Sequence, residues 1–506
     1  MNIMPQWTER AEKRGLDPLG LQNSGVALYQ TLLPGISNVT PRLRYFGYYC
    51  WVSVTYAKRV GETDPETWRT WIRRSEALLA LVSAEAGGES GVGGIEWATG
   101  VLLDDQPIID FAPAASLDAP RLYLKQRMGV FGGAYVSQLL ETGLFALSAE
   151  HAIAIASARN GRRLADAFRR SIGDAEAPLI KAIETGSVQR SLLVALEVIA
   201  PSQISPGSEE ARLYLDLLSA ALEGTGDRDR NRRNTLRMAL AVAAEKRDQP
   251  SPDDVRWRLF DPQMALPEDL AAHRLGWEAY HTHDLFQLAA AGLFAWALSR
   301  LGVRQAGFTY TEVSDELKRV LLASDTLPDE ASWSEVLQAA SMDDEELRSA
   351  ALAVGRAGTI DEDRLDLAVR MIVALHNRVQ TRPDLDAEIE RRFALAPSVR
   401  SIRSELHWLE ERRTQPAARL MADYLVERVL KRHAEVALRK LRYQRDYTFH
   451  FEAREGRLVR RLAYLPVLTS PRLGSALQVL RDLGLMSDSG TSPEGLRFIE
   501  AADATA

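Results

Sequence analysis

Apolar residues recur at helical spacing along most of this 506-residue chain, and this periodicity limits its fold more than any other feature. The stretch 208–395 shows it with hardly any of the alternation that is typical of strands. The clearest exception is 447–462, where Tyr447, Phe449 and Phe451 alternate with polar residues before a Glu-Gly turn. The sequence therefore predicts a mainly α-helical fold with a β-hairpin near its C-terminal end.

The length of the chain predicts several domains, because a single hydrophobic core rarely serves so many residues. Pro201–Gly207 combines prolines, serines and a glycine and indicates a boundary. We expect an N-terminal helical domain over 1–200 and an irregular helical domain over 208–395. The remainder, 397–506, is predicted to hold a long basic helix, the hairpin and a small α+β module.

Composition and charge exclude several classes of protein. Hydrophobic residues make up 46% of the chain and charged residues 26%, as in ordinary globular proteins. The net charge of −7 argues against nucleic-acid binding by the whole surface but leaves room for a local basic patch. The single cysteine, Cys50, excludes an internal disulfide framework and indicates a reducing cytoplasm. The longest apolar run, Leu285–Leu298, is too short for a bilayer and predicts a buried central helix rather than membrane contact.

The last forty residues resemble the end of a winged-helix domain. Ser470-Pro471-Arg472-Leu473 opens a helix with leucines on one face, and Gly484-Leu485 ends it. Thr491-Ser492-Pro493-Glu494-Gly495 then resembles the start of a closing helix. The resemblance covers the C-terminal 60 residues or so, and winged-helix proteins mostly bind nucleic acid.

In winged-helix proteins the leucine-faced helix enters the major groove. The resemblance therefore implies that Arg472, Ser475 and Gln478 contact DNA from the outer face, which Asp482 shares. Few residues separate Leu485 from the closing helix, so we expect a minimal wing.

A second stretch repeats this layout between residues 130 and 170. Leu139-Leu140-Glu141-Thr142-Gly143-Leu144 is followed by Asn160-Gly161 and a new helical pattern. A second winged-helix-like unit is one interpretation. An ordinary helical hairpin can end in the same way, and the sequence leaves both open.

A basic cluster precedes the C-terminal module. From Arg428 to Arg472 there are twelve Lys or Arg against four Asp or Glu, interleaved with Tyr443 and Tyr447. Such a patch favours contact with phosphates without specifying a base sequence. Pairing with the acidic remainder of the chain, or with a partner protein, is the alternative. The cationic candidates for nucleic-acid contact are Arg439, Lys440, Arg442, Arg445, Arg457, Arg460 and Arg461.

Potential metal ligands cluster at His281-Thr282-His283-Asp284. Side chains two positions apart on a helix point in nearly opposite directions. His281 and His283 could therefore share an ion only on a strand or loop. The following sequence is strongly helical. We expect Thr282 or Asp284 to cap that helix, with the histidines at its exposed start.

Other candidates for chemistry have simpler interpretations. Asp104-Asp105 and Asp110 resemble fragments of a nuclease site, yet lack a following lysine and are expected to be surface acids. Cys50 lies on a very apolar helix and predicts a buried thiol. The aromatic and basic residues of 42–59 are typical of a core stripe with arginines at its edges, although stacking on bases is the alternative.

Taken together, the sequence predicts a non-catalytic, cytoplasmic subunit of a bacterial complex that acts on nucleic acid, with DNA favoured and other protein subunits as partners. An antiviral defence or DNA-processing system would suit such a protein by analogy. A protein-interaction scaffold and a metal-dependent hydrolase or nuclease are the alternatives. No cofactor is predicted.

Overall fold

The computed structural model describes residues 17–39, 42–147, 153–222, 224, 226–324, 327–328, 330–340, 342–394 and 400–500. Twelve α-helices occupy the first half of these ranges: α1 Gln22–Leu32, α2 Arg44–Arg59, α3 Pro65–Glu85, α4 Ile95–Leu102, α5 Ala112–Ala115, α6 Val136–Glu141, α7 Asn160–Ile172, α8 Glu176–Thr185, α9 Arg190–Ala195, α10 Glu209–Leu218, α11 Asp227–Lys246 and α12 Pro252–Phe260.

Eleven more α-helices follow in the described residues: α13 Ala271–Leu301, α14 Tyr310–Ala323, α15 Trp333–Gln338, α16 Asp344–Gly355, α17 Glu362–Thr381, α18 Pro383–Phe393, α19 Ile402–Glu410, α20 Ala417–Tyr424, α21 Lys431–Gln444, α22 Leu473–Asp482 and α23 Pro493–Glu500. A π-helical turn, Phe131–Tyr135, leads into α6. A second, Leu425–Leu430, joins α20 to α21 without a break.

The described strands are short and pair two by two, always antiparallel: β1 Ile108–Asp110 with β4 Ser187–Gln189, β2 Phe145–Leu147 with β3 Ala154–Ala156, β5 Phe451–Arg454 with β6 Arg457–Arg460, and β7 Met486–Ser487 with β8 Gly490–Thr491. The predicted hairpin is β5–β6. Its turn residues, Glu455 and Gly456, have φ of 51° and 77°, as a tight two-residue turn between twisted strands requires. The mainly α-helical fold and this hairpin are both confirmed.

Contacts divide the chain into two compact units. Unit 1 holds the described residues up to Tyr29, then Phe260–Gln263 and Leu275–Thr469. Unit 2 holds Gln30–Leu259, Met264–Arg274 and the described residues from Ser470 onward. The predicted boundary at 201–207 lies inside unit 2, and the one at 395–397 lies outside the described residues. The hairpin β5–β6 belongs to unit 1, whereas α22 and α23 belong to unit 2.

The core of unit 1 is built around α13, a helix of 31 residues. Every residue from Leu285 to Leu298 is buried. A helix that is apolar on all sides is stable only when other elements cover all of them. The central buried helix predicted from this run is therefore confirmed.

The helix α2 forms much of the aromatic core of unit 2. Its aromatic side chains are all buried, at Tyr45, Phe46, Tyr48, Tyr49, Trp51 and Tyr56. The prediction of a core stripe is confirmed, and Arg59 lies exposed at its edge, but Arg44 does not. Arg44 is 1% exposed, and its Nε donates to Glu210 Oε1 at 3.0 Å. A buried carboxylate on α10 gives the guanidinium a partner inside the core, which local periodicity could not reveal.

One helix–hairpin–helix arrangement occurs twice in unit 2, as α6–β2–β3–α7 and as α22–β7–β8–α23. In each copy the first helix ends at a glycine with positive φ, Gly143 at 69° and Gly484 at 68°. The N–H of the next leucine donates to the carbonyl five residues back, at 3.0 Å in the first copy and 2.9 Å in the second. Both ends thus use the same left-handed glycine cap.

The second helix of each copy also begins in the same way. The N–H of Ser157 or Ser492 donates to the carbonyl of the leucine that follows the glycine cap, at 2.8 and 3.0 Å. Each serine hydroxyl accepts the N–H of a glycine, Gly161 at 2.9 Å and Gly495 at 3.1 Å. The layout noticed in the sequence therefore corresponds to closely similar hydrogen bonds in the two copies, with the serine four residues before the glycine in the first copy and three in the second.

Each copy is preceded by a comparable pair of helices. Helix α2 packs against β3 and α7, and α11 packs against β8 and α23. The next helix starts at a proline in both cases, Pro65 after Asp64 and Pro252 after Ser251. The difference is that most of unit 1, Leu275–Thr469, lies between the second helix pair, α11 and α12, and the copy that follows it.

The segment 33–39 contacts the first helix of both copies. The N–H of Gly35 donates to the Glu141 carboxylate at the end of α6, at 2.8 Å. Just beyond the segment, the N–H of Leu43 donates to the Asp482 carboxylate at the end of α22, at 3.0 Å. Glu141 and Asp482 stand at the same place, two residues before the glycine cap. The two copies thus hold neighbouring parts of one connecting segment.

We expect Gly495→Ala and Gly161→Ala each to destabilise unit 2 by about 1–3 kcal/mol, because an added methyl group cannot be accommodated without backbone movement. A Cβ at either glycine would lie 2.2 Å from the leucine carbonyl oxygen. Thermal unfolding of the full chain measures the effect. Gly474→Ala is the matched control, since its Cβ meets only Pro252 at 3.5 Å and alanine favours a helix. Equal melting temperatures for all three variants would contradict the repeated geometry.

Candidate nucleic-acid interface

The basic helix predicted from the sequence ends in α21. Its inner face carries His433, Val436 and Ala437, which are buried, so the helix is anchored by that side. Arg439 and Arg442 are exposed on the remaining surface. Arg445 ends the helix in the left-handed conformation, with φ of 56° and its N–H donating to the Leu441 carbonyl. The last turns therefore present their cations to solvent.

A buried histidine fixes the chain that leaves α21. The Nδ1 of His433 donates to the Pro18 carbonyl at 3.1 Å, and its Nε2 accepts the N–H of His450 at 3.0 Å. Burial, reinforced by the neighbouring His450, lowers the pKa of His433 to about 3. The imidazole is therefore neutral, with one nitrogen donating and the other accepting. It ties the approach to β5 against α21 and thereby positions the residues between them.

Tyr447 and Arg461 meet beside this anchor. The Arg461 guanidinium lies over the Tyr447 ring, 4.7 Å from its centroid, and donates to the Phe449 carbonyl. The tyrosine hydroxyl donates to Glu452 at 2.8 Å, and the same carboxylate lies 3.9 Å from Arg461 Nε. An exposed aromatic ring and a cation are thus held together at the start of the hairpin.

Two of the predicted cations serve the structure of unit 1. Arg457 donates to the Gly307 carbonyl and to Glu312, both at 3.0 Å. Arg460 is exposed and packs over Gly302, where an added Cβ would lie 2.3 Å from its guanidinium carbon. These contacts bring Arg457 and Arg460 to the loop before α14, rather than to the end of α21.

Within the described residues, three cations at the end of α21 have no carboxylate partner: Arg439, Arg442 and Arg445. Lys440 donates to the Asp17 backbone carbonyl at 3.0 Å instead. With Tyr443, Tyr447 and Arg461, the three arginines form what we call the α21 basic surface. Its tyrosines are exposed, Tyr443 by 76% and Tyr447 by 46%.

The three residues expected to read bases lie in unit 2. Arg472 and Ser475 are buried, and Gln478 is half-buried. Arg472 Nη1 donates to the Ile36 carbonyl at 2.6 Å. The carboxylate of Asp482 is 3% exposed and accepts from Arg42 and Leu43. The residues expected to be open are engaged because Leu33 and Ile36 accept from Arg472, and Arg42 and Leu43 donate to Asp482. The leucine face of α22 alone could not indicate these distant partners.

The histidine cluster does not lie at a helix start. Helix α13 begins at Ala271, so His281 and His283 fall in its interior, where both are buried. His283 contacts the Leu21 carbonyl and accepts the N–H of Ile402, while Asp284 accepts from Thr469. The expectation of an exposed, capping cluster is therefore wrong, because distant segments supply the polar partners. In the described part of the chain, no group of three or more His, Cys, Asp or Glu residues is arranged to hold a metal.

The remaining candidates lie where the simpler interpretations put them. Cys50 is fully buried, and burial raises the pKa of its thiol well above the ordinary range. Asp104, Asp105 and Asp110 are exposed. Reactive cysteines need access and a lowered pKa, so Cys50 is a core residue.

Sequence reasoning missed a polar pocket that adjoins the α21 basic surface. It lies in unit 1, where Asp17, Gly20 and Asn23 face Arg439 and Lys440. The two sides are some 400 positions apart in the chain, and no local sequence pattern predicts that they lie together.

None of the helices in the described ranges combines the length and apolar character that crossing a bilayer requires. Comparisons with protein families, curated proteins and solved structures give no match to this chain.

Proposed function

We propose that this protein binds nucleic acid through the α21 basic surface, contacting phosphates rather than reading a base sequence. In this proposal it is a non-catalytic, cytoplasmic subunit of a bacterial complex that acts on nucleic acid, DNA first of all, together with other protein subunits. A defence or DNA-processing system is the setting we favour. The observation that carries the proposal is the group of arginines without carboxylate partners at the end of α21.

Several other arginines of unit 1 are held by buried carboxylates instead. Arg378 and Arg382 both donate to the buried Glu278, and Arg400 and Arg428 converge on the buried Glu405. The chain has 69 Asp and Glu against 62 Lys and Arg, so carboxylates are not scarce. Arginines that stay unpaired in an acidic protein attract anions from solution, and a phosphate backbone supplies such anions at regular spacing.

The aromatic residues of the surface support stacking as well as charge contact. Tyr443 is among the most exposed large side chains of the chain, and Tyr447 is backed by Arg461. Bases stack on exposed tyrosines and on arginine planes whatever their identity. Unpaired bases offer their faces freely, so we expect single-stranded DNA to bind at least as tightly as a duplex.

We also propose that the two helix–hairpin–helix copies of unit 2 belong to the winged-helix class. The glycine caps, the short hairpins and the serine-initiated second helices support it. Because Arg472 and Asp482, at the two ends of α22, are engaged by residues of 33–36 and 42–43, these copies act as structural or docking elements in our proposal. Arg472 and Ser475 are therefore not proposed as contacts with nucleic acid.

The salt dependence of binding tests the proposed function. Fluorescence anisotropy with labelled single-stranded and duplex DNA would be measured from about 50 to about 200 mM KCl. With about four phosphate contacts, we expect log affinity to fall with log salt at a slope of about −3, a loss of roughly 50-fold. Binding that ignores salt, or no binding at the lowest salt, would overturn the proposal.

A protein partner on the same surface is the second candidate, because leucines are exposed beside the arginines. Leu438 is 57% exposed and Leu441 37% exposed on α21. Leucine contributes to protein interfaces and little to phosphate contact. Co-purification with a partner that Leu438→Ser abolishes and that persists at high salt would favour this function.

A further inference from the structure

The pocket beside the α21 basic surface is open to solvent and has a volume of about 360 Å³. One side comes from the residues at and just before the start of α1, and the other from the outer part of α21. Small-molecule sites typically have volumes from about 300 to 1,000 Å³, so one nucleotide is of suitable size. The lining residues are Asp17, Gly20, Asn23, Arg400, Arg432, Val436, Arg439, Lys440, Tyr443 and Gln444.

The pocket is cationic despite the presence of Asp17. The Asp17 carboxylate accepts the backbone N–H groups of Gly20, Leu21 and Asn23, at 2.7, 3.1 and 3.3 Å. These hydrogen bonds hold the carboxylate at the start of α1. Lys440 donates to the Asp17 backbone carbonyl, and the Asp17 and Asp446 carboxylates act on its charge from nearby without forming a salt bridge. Arg439 has no carboxylate partner in the described part of the chain, so neither cation of this wall is held in an ion pair there.

A third cation has an unused donor. Arg432 Nη1 donates to Glu435 at 2.9 Å, but its Nε is buried and has no hydrogen-bond partner among the described residues. Burial chiefly, and Arg439 in addition, lowers the pKa of Lys440, although the nearby Asp17 and Asp446 carboxylates offset part of this shift. An anion in the pocket would restore the favourable environment of the ammonium group and offer acceptors to the guanidinium groups.

We propose that this pocket binds the terminal phosphate of a nucleic-acid strand, with the end nucleotide stacked on Tyr443. The inference rests on the proposed function, since the strand that the α21 basic surface holds would deliver its end to the pocket. Both sites share Arg439 and Tyr443, so a strand on one continues into the other without crossing protein.

The charge of the ligand explains why a strand end fits better than the middle of a strand. A phosphate monoester has a second pKa near 6 and carries close to two negative charges at neutral pH, whereas each phosphodiester carries one. Lys440, Arg439 and Arg432 together can match two charges. The monoester also has three terminal oxygens, which can accept from several donors at once.

The test compares short single-stranded oligonucleotides that carry a 5′-phosphate, a 3′-phosphate or only hydroxyl ends. Each is labelled at the opposite end and titrated with the full-length protein. We expect one of the two phosphorylated strands to bind about tenfold or more tightly than the hydroxyl strand, which identifies the end recognised. Equal affinity for all three strands would overturn the inference.

Variants separate the pocket from the surface around it. We expect Lys440→Gln and Arg439→Gln each to remove most of the preference for a terminal phosphate. Arg439 is the more exposed of the two, so its substitution should disturb folding least. Arg442→Gln, outside the pocket, should weaken all strands alike and leave the preference unchanged. If the hydroxyl strand binds with the expected salt dependence and no variant changes the preference, the proposed function stands and this inference fails.

Competition with AMP identifies the source of the phosphate. Displacement of the phosphorylated strand by AMP, with Lys440→Gln abolishing the effect, supports a phosphate-monoester pocket that also accepts free nucleotides. An advantage confined to phosphorylated strands supports the pocket as a reader of strand ends. If AMP competes equally well with the strand in the Lys440→Gln variant, the phosphate monoester binds elsewhere and the inference is overturned.

Discussion

The double substitution Arg442→Glu and Arg445→Glu is expected to weaken DNA binding roughly 100-fold near physiological salt, because two cations proposed to contact phosphates become anions that repel them. The slope of log affinity against log salt should also become shallower, by about 2. Anisotropy titrations over the same salt range as for the unchanged protein measure both quantities. Both side chains are exposed and have no carboxylate partner in the described residues, so folding should not be affected.

A matched control is Arg319→Glu with Arg419→Glu. These arginines are exposed in the same unit, 64% and 70% at their side chains, and the change in net charge is identical. We expect at most a small loss of affinity, from the more negative protein as a whole. If both double variants lose affinity equally, binding depends on net charge and the α21 basic surface is not the site. If neither does, the nucleic acid binds elsewhere.

Glu405→Gln is expected to destabilise unit 1 by about 3–5 kcal/mol, because it leaves the buried guanidinium of Arg400 and the partly exposed one of Arg428 without their carboxylate. Arg400 Nε donates to Glu405 at 2.8 Å, Arg428 Nε at 3.1 Å and the Tyr424 hydroxyl at 2.9 Å. Hydrogen exchange of the amides in α19 and α20 reports the local loss of stability. Glu427→Gln, which disturbs only an exposed pair with Lys431, should cost less than about 1 kcal/mol.

The same carboxylate predicts how stability depends on pH. Burial alone would raise the pKa of Glu405, but the charges and hydrogen bonds of Arg400 and Arg428 outweigh it and bring the pKa to about 2. The unfolded chain, with a pKa of about 4.3, binds the proton first. Glu405 therefore contributes about 3 kcal/mol above that pH, and this stability is lost as the pH falls from about 4.3 to 2. A pH profile that Glu405→Gln leaves unchanged would contradict this assignment.

Sequence reasoning succeeded where the signal was local. The turn at Glu455-Gly456 needs only neighbouring residues, and the apolar run of α13 predicts burial whatever covers it. The repeated glycine caps were also visible, since each rests on a glycine followed by a leucine. What remained open was whether the two stretches share one backbone geometry, because that depends on hydrogen bonds to the carbonyl of a leucine across a hairpin.

It failed where partners come from far away in the chain. His283 was expected at an exposed helix start, but its ring lies between the Leu21 carbonyl and the N–H of Ile402. Arg472 was expected to face DNA, but the Ile36 carbonyl accepts from it, more than 400 positions earlier. A helical wheel reports which residues share a face and cannot report which segment covers that face. The pocket at Lys440 escaped notice for the same reason.

The position of unit 1 between α12 and the second helix–hairpin–helix copy has a consequence for synthesis of the protein. Helix α11 leaves the ribosome long before its partners α22 and α23, with roughly 200 residues between them. At a synthesis rate of about 5–20 residues per second, the face of α11 that these partners cover stays without them for some 10–40 s. During that interval the residues of α11 that contact α22 and α23 need a temporary cover, either other parts of unit 2 or a chaperone. Nascent chains stopped between α12 and α22 should therefore be the form of this protein that chaperones bind most strongly.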